Sequence, residues 1–589
     1  MDLDNIPAVP IEFDGLLDSA MKLYERNKEI QPAKQGLTNQ YTINATTATG
    51  LEFLFGEEPE SGKLDELMSG LKNNPASLMG KLRASLFQSD DDDNVPDDLS
   101  SLQTLSLDEP DQWSMSWTNY QDIYENSKGL IPGWAATLTD AETATKQFWP
   151  TIAENGLAYN LLMLRKVASS DLAGLKAHFA EAWSPDWDPL SKNGSLYVID
   201  LRIFASLKPE KKNGYQRFTP STLTLLRQDP VSKDLTPVAV TVAGQDNTKV
   251  QYFVRGQAHE SAWLYALQAA KVSVTVYGIW LGHVYHWHIV TASMQMTMYN
   301  NIEKDHGLYK LIAPQANYLF QFDEILLLLW DSIAPPTSPG SARIFLELMN
   351  TFAFERSYFD DDPLTTLANN GILERDFTVK KAWDKYPIVG RFLTLWQATS
   401  AYIKVFVYTT YHHSDAEVAA DKQLQAWIQD AGDNDEGNIR GLPAHVDTRA
   451  ALEAILTSLI YRITAHGGSR MFPAAYPVQT FVANFPPCLQ RTEIPEPTDI
   501  LTTTQLLEYL PKTGTIGKMM TFYNTFIFSK PYVPFIPEKG VTADLFFPGG
   551  QNDPRNKALI AYREVLIKYI KDLEPDAPQI HQWPLNIET

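Results

Sequence analysis

A chain of 589 residues that is 44% hydrophobic can bury a large core, which excludes a disordered protein. Its 71 acidic residues against 49 basic ones give a formal charge of -22, a balance that repels nucleic acid and anionic membrane surfaces. Cys488 is the only cysteine, so intramolecular disulfides and cysteine-based zinc or iron–sulfur sites are excluded, and any metal must be held by histidine and oxygen.

The N-terminal stretch has neither a basic n-region nor a long apolar h-region, so it does not read as a secretory signal. Residues 1–105 read as an N-terminal extension with short helical patterns over Asp14–Lys28, Leu64–Leu71 and Ala76–Phe87. It closes on the acidic run from Ser89 to Asp98, whose carboxylates lack the alternation of a calcium loop and read as a solvated linker.

From Trp113 the texture changes to long helical patterns, and residues 106–589 read as one catalytic-sized body, mainly α with a small β insert. Ala141 to Arg165 reads as helix, with Asn155-Gly156 as an interruption. The β insert lies between Ser195 and Val254. There Leu196-Tyr197-Val198-Ile199 is a short apolar run, and Leu223–Arg227 and Pro237–Val242 read as paired strands on either side of Gln228-Asp229-Pro230.

His259 to Asn300 is a long apolar helical stretch, and within Leu281–Ile312 stand four of the 11 histidines, at 283, 286, 288 and 306. On a regular helix His283 and His286 share a face, whereas His283 and His288 meet only if the helix loosens by a π-turn. Such imidazoles serve either as metal ligands or as core side chains bonded to backbone carbonyls. Tyr318–Ile333 reads as a further helix ending at Pro335-Pro336, and its most apolar run, Ile325 to Trp330, is far shorter than the roughly 20 residues that span a bilayer. Phe392–Tyr411 repeats aromatics at helical spacing. Asp447-Thr448-Arg449 can cap a helix running through Leu452, Ile455, Leu459 and Ile463 to His466, which is either structural or a third ligand from a second helix. No glycine-rich phosphate loop and no repeat of 20 to 50 residues is present. A soluble, intracellular monomer is the expectation.

Over roughly residues 113 to 589 the chain resembles a lipoxygenase. His283-Val-Tyr-His-Trp-His288 reproduces the family's H-x4-H arrangement, and His306-Gly-Leu-Tyr-Lys-Leu-Ile312, followed by Pro314, stands 18 residues beyond His288 where the family has an HPxYKLL-like segment. Tyr386-Pro387, the helix through Trp396 and Tyr402–Tyr411 match in order, as do Thr448-Arg449 through His466 and the strands from Leu196 to Leu225. The family's N-terminal β-barrel has no counterpart in residues 1–105.

The resemblance implies a non-haem iron site, or manganese as in some fungal members, held by His283, His288, His466 and the terminal carboxylate of Thr589. It implies a dioxygenase that takes a hydrogen atom from a doubly allylic carbon of a polyunsaturated fatty acid, or a similar lipid-like substrate, and adds dioxygen to give a hydroperoxide. The departures are specific. Arg470 stands where the family has a ligating Asn, and a guanidinium cannot coordinate a cation. The chain ends Asn586-Ile-Glu-Thr589 where an isoleucine is usual, and Ile279 replaces a glutamine that supports the ligands. Leu326 and Trp330 bring bulk to pocket positions that are usually smaller. These departures leave room for a repurposed oxidase or isomerase on a non-fatty-acid substrate, or for a non-catalytic lipid-binding homologue.

Overall fold

The computed structural model describes residues 163–212, 215–244, 249–278, 281–282, 290–315, 357–360, 362–374, 379–383, 387–433, 437–464, 488–510 and 540–573. In chain order these give β1 (Arg165–Lys166), α1 (Ser169–Phe179), α2 (Trp187–Lys192), β2 (Leu196–Leu201), a small hairpin of β3 (Glu210–Lys212) and β4 (Tyr215–Arg217), then β5 (Ser221–Gln228), β6 (Leu235–Ala243) and β7 (Val250–Val254). The helical body follows with α3 (Glu260–Val276), α4 (Val290–Asn301), α5 (Gly307–Ile312), α6 (Pro363–Asn369), α7 (Pro387–Thr410), α8 (Asp415–Ala420), α9 (Lys422–Gly432), α10 (Arg449–Thr464), α11 (Thr503–Leu507) and α12 (Pro554–Leu573).

The β insert is an antiparallel sheet in the order β1-β2-β5-β6-β7. The expected pairing of the Leu223 and Pro237 segments is present, with Leu223 opposite Thr241 and a register shift between Leu225 and Leu226. Both faces of this sheet are covered. Tyr197, Ile199, Val240, Val242 and Phe253 enter the main core, while Leu196, Val198, Leu223, Leu225 and Ala239 pack with Phe179 and Trp187 of α1 and α2. Burial on both faces explains why these strands read as apolar runs rather than as a clean alternation. The helix expected to continue to Arg165 does not reach it. Arg165 and Lys166 instead pair with Val198 and Tyr197 at the sheet edge, a contact between segments more than 30 residues apart in sequence that local periodicity cannot register.

The central helix is α3. The His259 ring caps it, Nδ1 accepting from the Ser261 amide at 3.3 Å. Nearly every residue from Tyr265 to Val276 is buried, including Lys271, so the helix is enclosed on all sides despite its β-branched second half. Past Val276 the backbone widens into π-helical turns at residues 277–278 and 281–282.

The longest described helix, α7, buries Leu395, Thr399, Tyr402, Ile403, Phe406 and Val407 along one stripe. This is the spacing of an amphipathic helix and accounts for the aromatic repeat seen in the sequence. In α10 the expected cap is formed, with Thr448 Oγ1 accepting from the Ala451 amide at 3.1 Å, and the buried stripe runs through Leu452, Ile455, Leu459 and Ile463. Both α10 and α12 pack on α7, and α4 packs on α9 and α10.

Candidate functional site

His283, His288, His466 and Thr589, together with Ile279, Leu326, Trp330, Arg470 and Asn586, lie outside the described residues. The elements leading to them are described. The π-helical turns of 277–278 and 281–282 stand directly before His283, and α4 begins at Val290, two residues after His288. The loosening that would bring His283 and His288 onto one face falls between them, outside the described residues. Helix α10 runs to Thr464, two residues before His466, and packs against α4. Helix α12, which leads toward the C-terminus, packs against α7, as does α10. As a donor set, three imidazoles and one carboxylate suit a divalent iron or manganese ion.

At the end of α10 a buried polar knot joins three helices. The Tyr562 hydroxyl of α12 lies 2.7 Å from Thr464 Oγ1 and 2.8 Å from Thr399 Oγ1 of α7. Both threonines also donate to the carbonyl four residues back, Thr464 to Ile460 at 2.7 Å and Thr399 to Leu395 at 2.8 Å. The Tyr562 ring stacks on Tyr402 with centroids 5.3 Å apart. Burial pushes the Tyr562 phenol up to about 12, so it stays a neutral donor. Because each threonine keeps its carbonyl partner, Tyr562→Phe is expected to cost only about 1–2 kcal/mol, measured by urea unfolding. The signal missed in the sequence is that Thr464 and Tyr562 are 98 residues apart.

His306 does not read as a ligand. It is the N-cap of α5, with Nδ1 accepting from the Leu308 amide at 3.2 Å and Nε2 placed 3.0 Å from Asp421 Oδ2. Since Nδ1 accepts, the ring proton sits on Nε2 and is given to the carboxylate. Burial pushes the Asp421 carboxyl up, but hydrogen bonds from His306, Tyr411 and the Leu424 amide outweigh it and hold the group below its ordinary value.

Arg462 and Lys271 are among the fully enclosed basic side chains of the helical body. Arg462 of α10 donates to the Tyr358 carbonyl at 2.5 Å and lies over the Tyr358 ring, 4.3 Å from its centroid. Lys271 sits in the middle of α3, where desolvation pushes its ammonium well below the ordinary range. Among the described residues the histidine and carboxylate groups whose donor atoms gather closely enough for one ion are His412, His413 and Glu417, on the surface between α7 and α8.

The described elements define a large helical body around a buried central helix that loosens just before a histidine pair, an architecture suited to enclosing a metal centre. The lipoxygenase family model matches residues 207–525, more than half of the sequence, and the chain belongs to the lipoxygenase family. The rat polyunsaturated fatty acid lipoxygenase ALOX15B is 23% identical over 318 residues, covering 52% of this chain and 44% of that protein. The chain spans under half the length of the first curated relatives it matches. Coral 8R-lipoxygenase superposes with a TM-score of 0.64 at 17% identity, covering 98% of this chain and 81% of the other. A fungal lipoxygenase from Fusarium graminearum gives 0.63 at 13%, covering 96% and 88%. At these identities the superpositions establish the mainly helical fold. Membership in the family implies a non-haem metal, usually iron. Among the described residues no helix is long and apolar enough to cross a membrane.

Proposed function

We propose that the chain is a non-haem metal dioxygenase of the lipoxygenase type, acting on a polyunsaturated fatty acid or another lipid-like molecule with a doubly allylic C–H. The observation that carries this reading is family membership combined with the packing of α4 against α10, the two helices that flank His288 and precede His466. His283, His288 and His466 lend neutral imidazole nitrogens, and Thr589 lends its terminal carboxylate. When bound, iron or manganese supplies the one-electron oxidant that lets dioxygen add to the substrate. The chain's own part is to hold those nitrogens in place and keep the reacting carbon in a dry, apolar surround. The enclosed face of α3 and the buried Met294 and Met298 of α4 suit that task.

A second reading keeps the fold and metal but changes the reaction to an oxidase or isomerase on another substrate. Arg470, at the family's ligating Asn position, favours it, because a cation near the ion opposes the trivalent state.

Elemental analysis together with oxygen uptake on linoleate and arachidonate tests the proposal. The expected result is near-stoichiometric iron or manganese, a conjugated-diene product, and a loss of turnover of at least about 1000-fold in His288→Ala. Protein without either metal would overturn both readings, and metal with no diene product would leave the second.

A further inference from the structure

We propose that His412, His413 and Glu417 form a surface site for a divalent first-row transition ion of the zinc type, separate from the candidate catalytic set. The three side chains meet at the turn between α7 and α8, and their ligating atoms all lie within 4.8 Å of one another. Donors sharing one ion at about 2.0–2.2 Å stand roughly 3–4 Å apart. The 3.8 Å between His413 Nε2 and Glu417 Oε1 already falls in that range, and His412 offers a ligating nitrogen within 4.8 Å of the other donors.

Neighbouring residues do not face each other on a helix, but here the helix has ended. The two rings lie 3.6 Å apart between centroids, at an interplanar angle of 45°. Two protonated imidazoles this close would repel, whereas two neutral ones can share a cation.

The backbone that presents the donors is braced on both sides. Tyr411, one residue before His412, donates its hydroxyl to Asp421 Oδ2 at 2.6 Å. Asp415, at the start of α8, accepts from Arg449 Nε at 2.8 Å and from the Arg449 amide at 3.2 Å. Glu417 itself is oriented, since its Oε2 accepts from the His413 amide at 2.9 Å and leaves Oε1 for an ion. With Glu417 already oriented, binding has only the two exposed imidazoles to order.

Two imidazoles and one carboxylate are a known zinc donor set, with water completing the tetrahedron, and soft thiolate-seeking ions are disfavoured. The acidic chain as a whole also attracts cations, with a formal charge of -22.

The probe is zinc chloride titrated calorimetrically into the full chain with its resident metal in place, beside His413→Ala, Glu417→Gln and the control His445→Ala. His445 is another exposed histidine beside a carboxylate, 2.9 Å from Asp447, and among the described residues gathers no third donor. The expected result is one zinc bound by the wild type and by His445→Ala, with affinity lowered at least about 10-fold in Glu417→Gln and about 100-fold in His413→Ala. Because His413 and His445 are exposed and glutamine at 417 keeps an amide oxygen to accept from the His413 amide, far-ultraviolet circular dichroism is expected to be unchanged. Equal zinc binding in all four proteins, or none in the wild type, would overturn the site. Neither outcome touches the catalytic proposal, whose ligands are different residues.

Discussion

Truncating Trp427 to alanine is expected to destabilise the protein by about 3–5 kcal/mol, among the largest single-residue effects in the described core. The indole is fully buried in α9, and its Nε1 donates to the Met294 carbonyl of α4 at 2.9 Å. A second tie between the same two helices runs the opposite way, Asn301 Nδ2 of α4 donating to Asp430 Oδ2 of α9 at 2.7 Å. Helix α9 thereby sets the position of α4, which begins two residues beyond His288. Trp427→Phe keeps most of the apolar volume and loses only the indole donor. The Met294 carbonyl still accepts from Thr297 Oγ1 at 3.2 Å, so a cost of about 1–2 kcal/mol is expected. Unfolding in urea followed by far-ultraviolet circular dichroism gives both values without relying on the altered fluorophore. If α4 helps to position His288, two residues before its start, Trp427→Ala also retains metal about 10-fold less well against a chelator while Trp427→Phe does not. Equal stability of the two variants would refute the packing account.

These two ties also show where sequence reading runs out. Phe392–Tyr411 and Leu452–Ile463 were legible because their burial follows helical spacing, and β5 and β6 because Asp229-Pro230 separates two apolar runs. The Trp427 bond to Met294 spans 133 residues, and no local pattern reports which helix an indole will reach. Arg165 was misread for the same reason, since its strand exists only through Val198. The histidine spacing at 283 and 288 points to a π-turn because a regular helix would part the two rings, and the turn between them lies outside the described residues. His306 was legible as a landmark of the family but not as a helix cap, because that role depends on backbone angles at one residue. His412 and His413 drew no attention because adjacent residues diverge on any regular element, and only the turn after α7 brings them together.

Replacing Asp421 is the second large perturbation, and it carries a pH signature. One oxygen, Oδ2, receives the Tyr411 hydroxyl at 2.6 Å and faces His306 Nε2 at 3.0 Å. The other, Oδ1, accepts the Gln423 and Leu424 amides at 3.1 and 3.0 Å and so caps α9. One carboxylate therefore joins α5, the end of α7 and the start of α9. Asp421→Ala removes a cap worth about 1 kcal/mol and leaves a buried tyrosine hydroxyl without this acceptor, for a total near 3 kcal/mol. Asp421→Asn can keep the cap through its carbonyl oxygen but then turns an amide donor toward two other donors, so a cost of about 2 kcal/mol is expected. The sign of the pH dependence follows from the depressed carboxyl. A group whose value is lower in the folded chain contributes fully above its unfolded value of about 3.9 and loses that contribution as pH falls through the folded value. Followed downward from about pH 5, the stability difference between wild type and Asp421→Ala should accordingly shrink below about pH 4. A difference that widened on acidification would mean that Asp421 is held protonated in the folded chain, and the assignment of His306 and Tyr411 as its donors would fall with it.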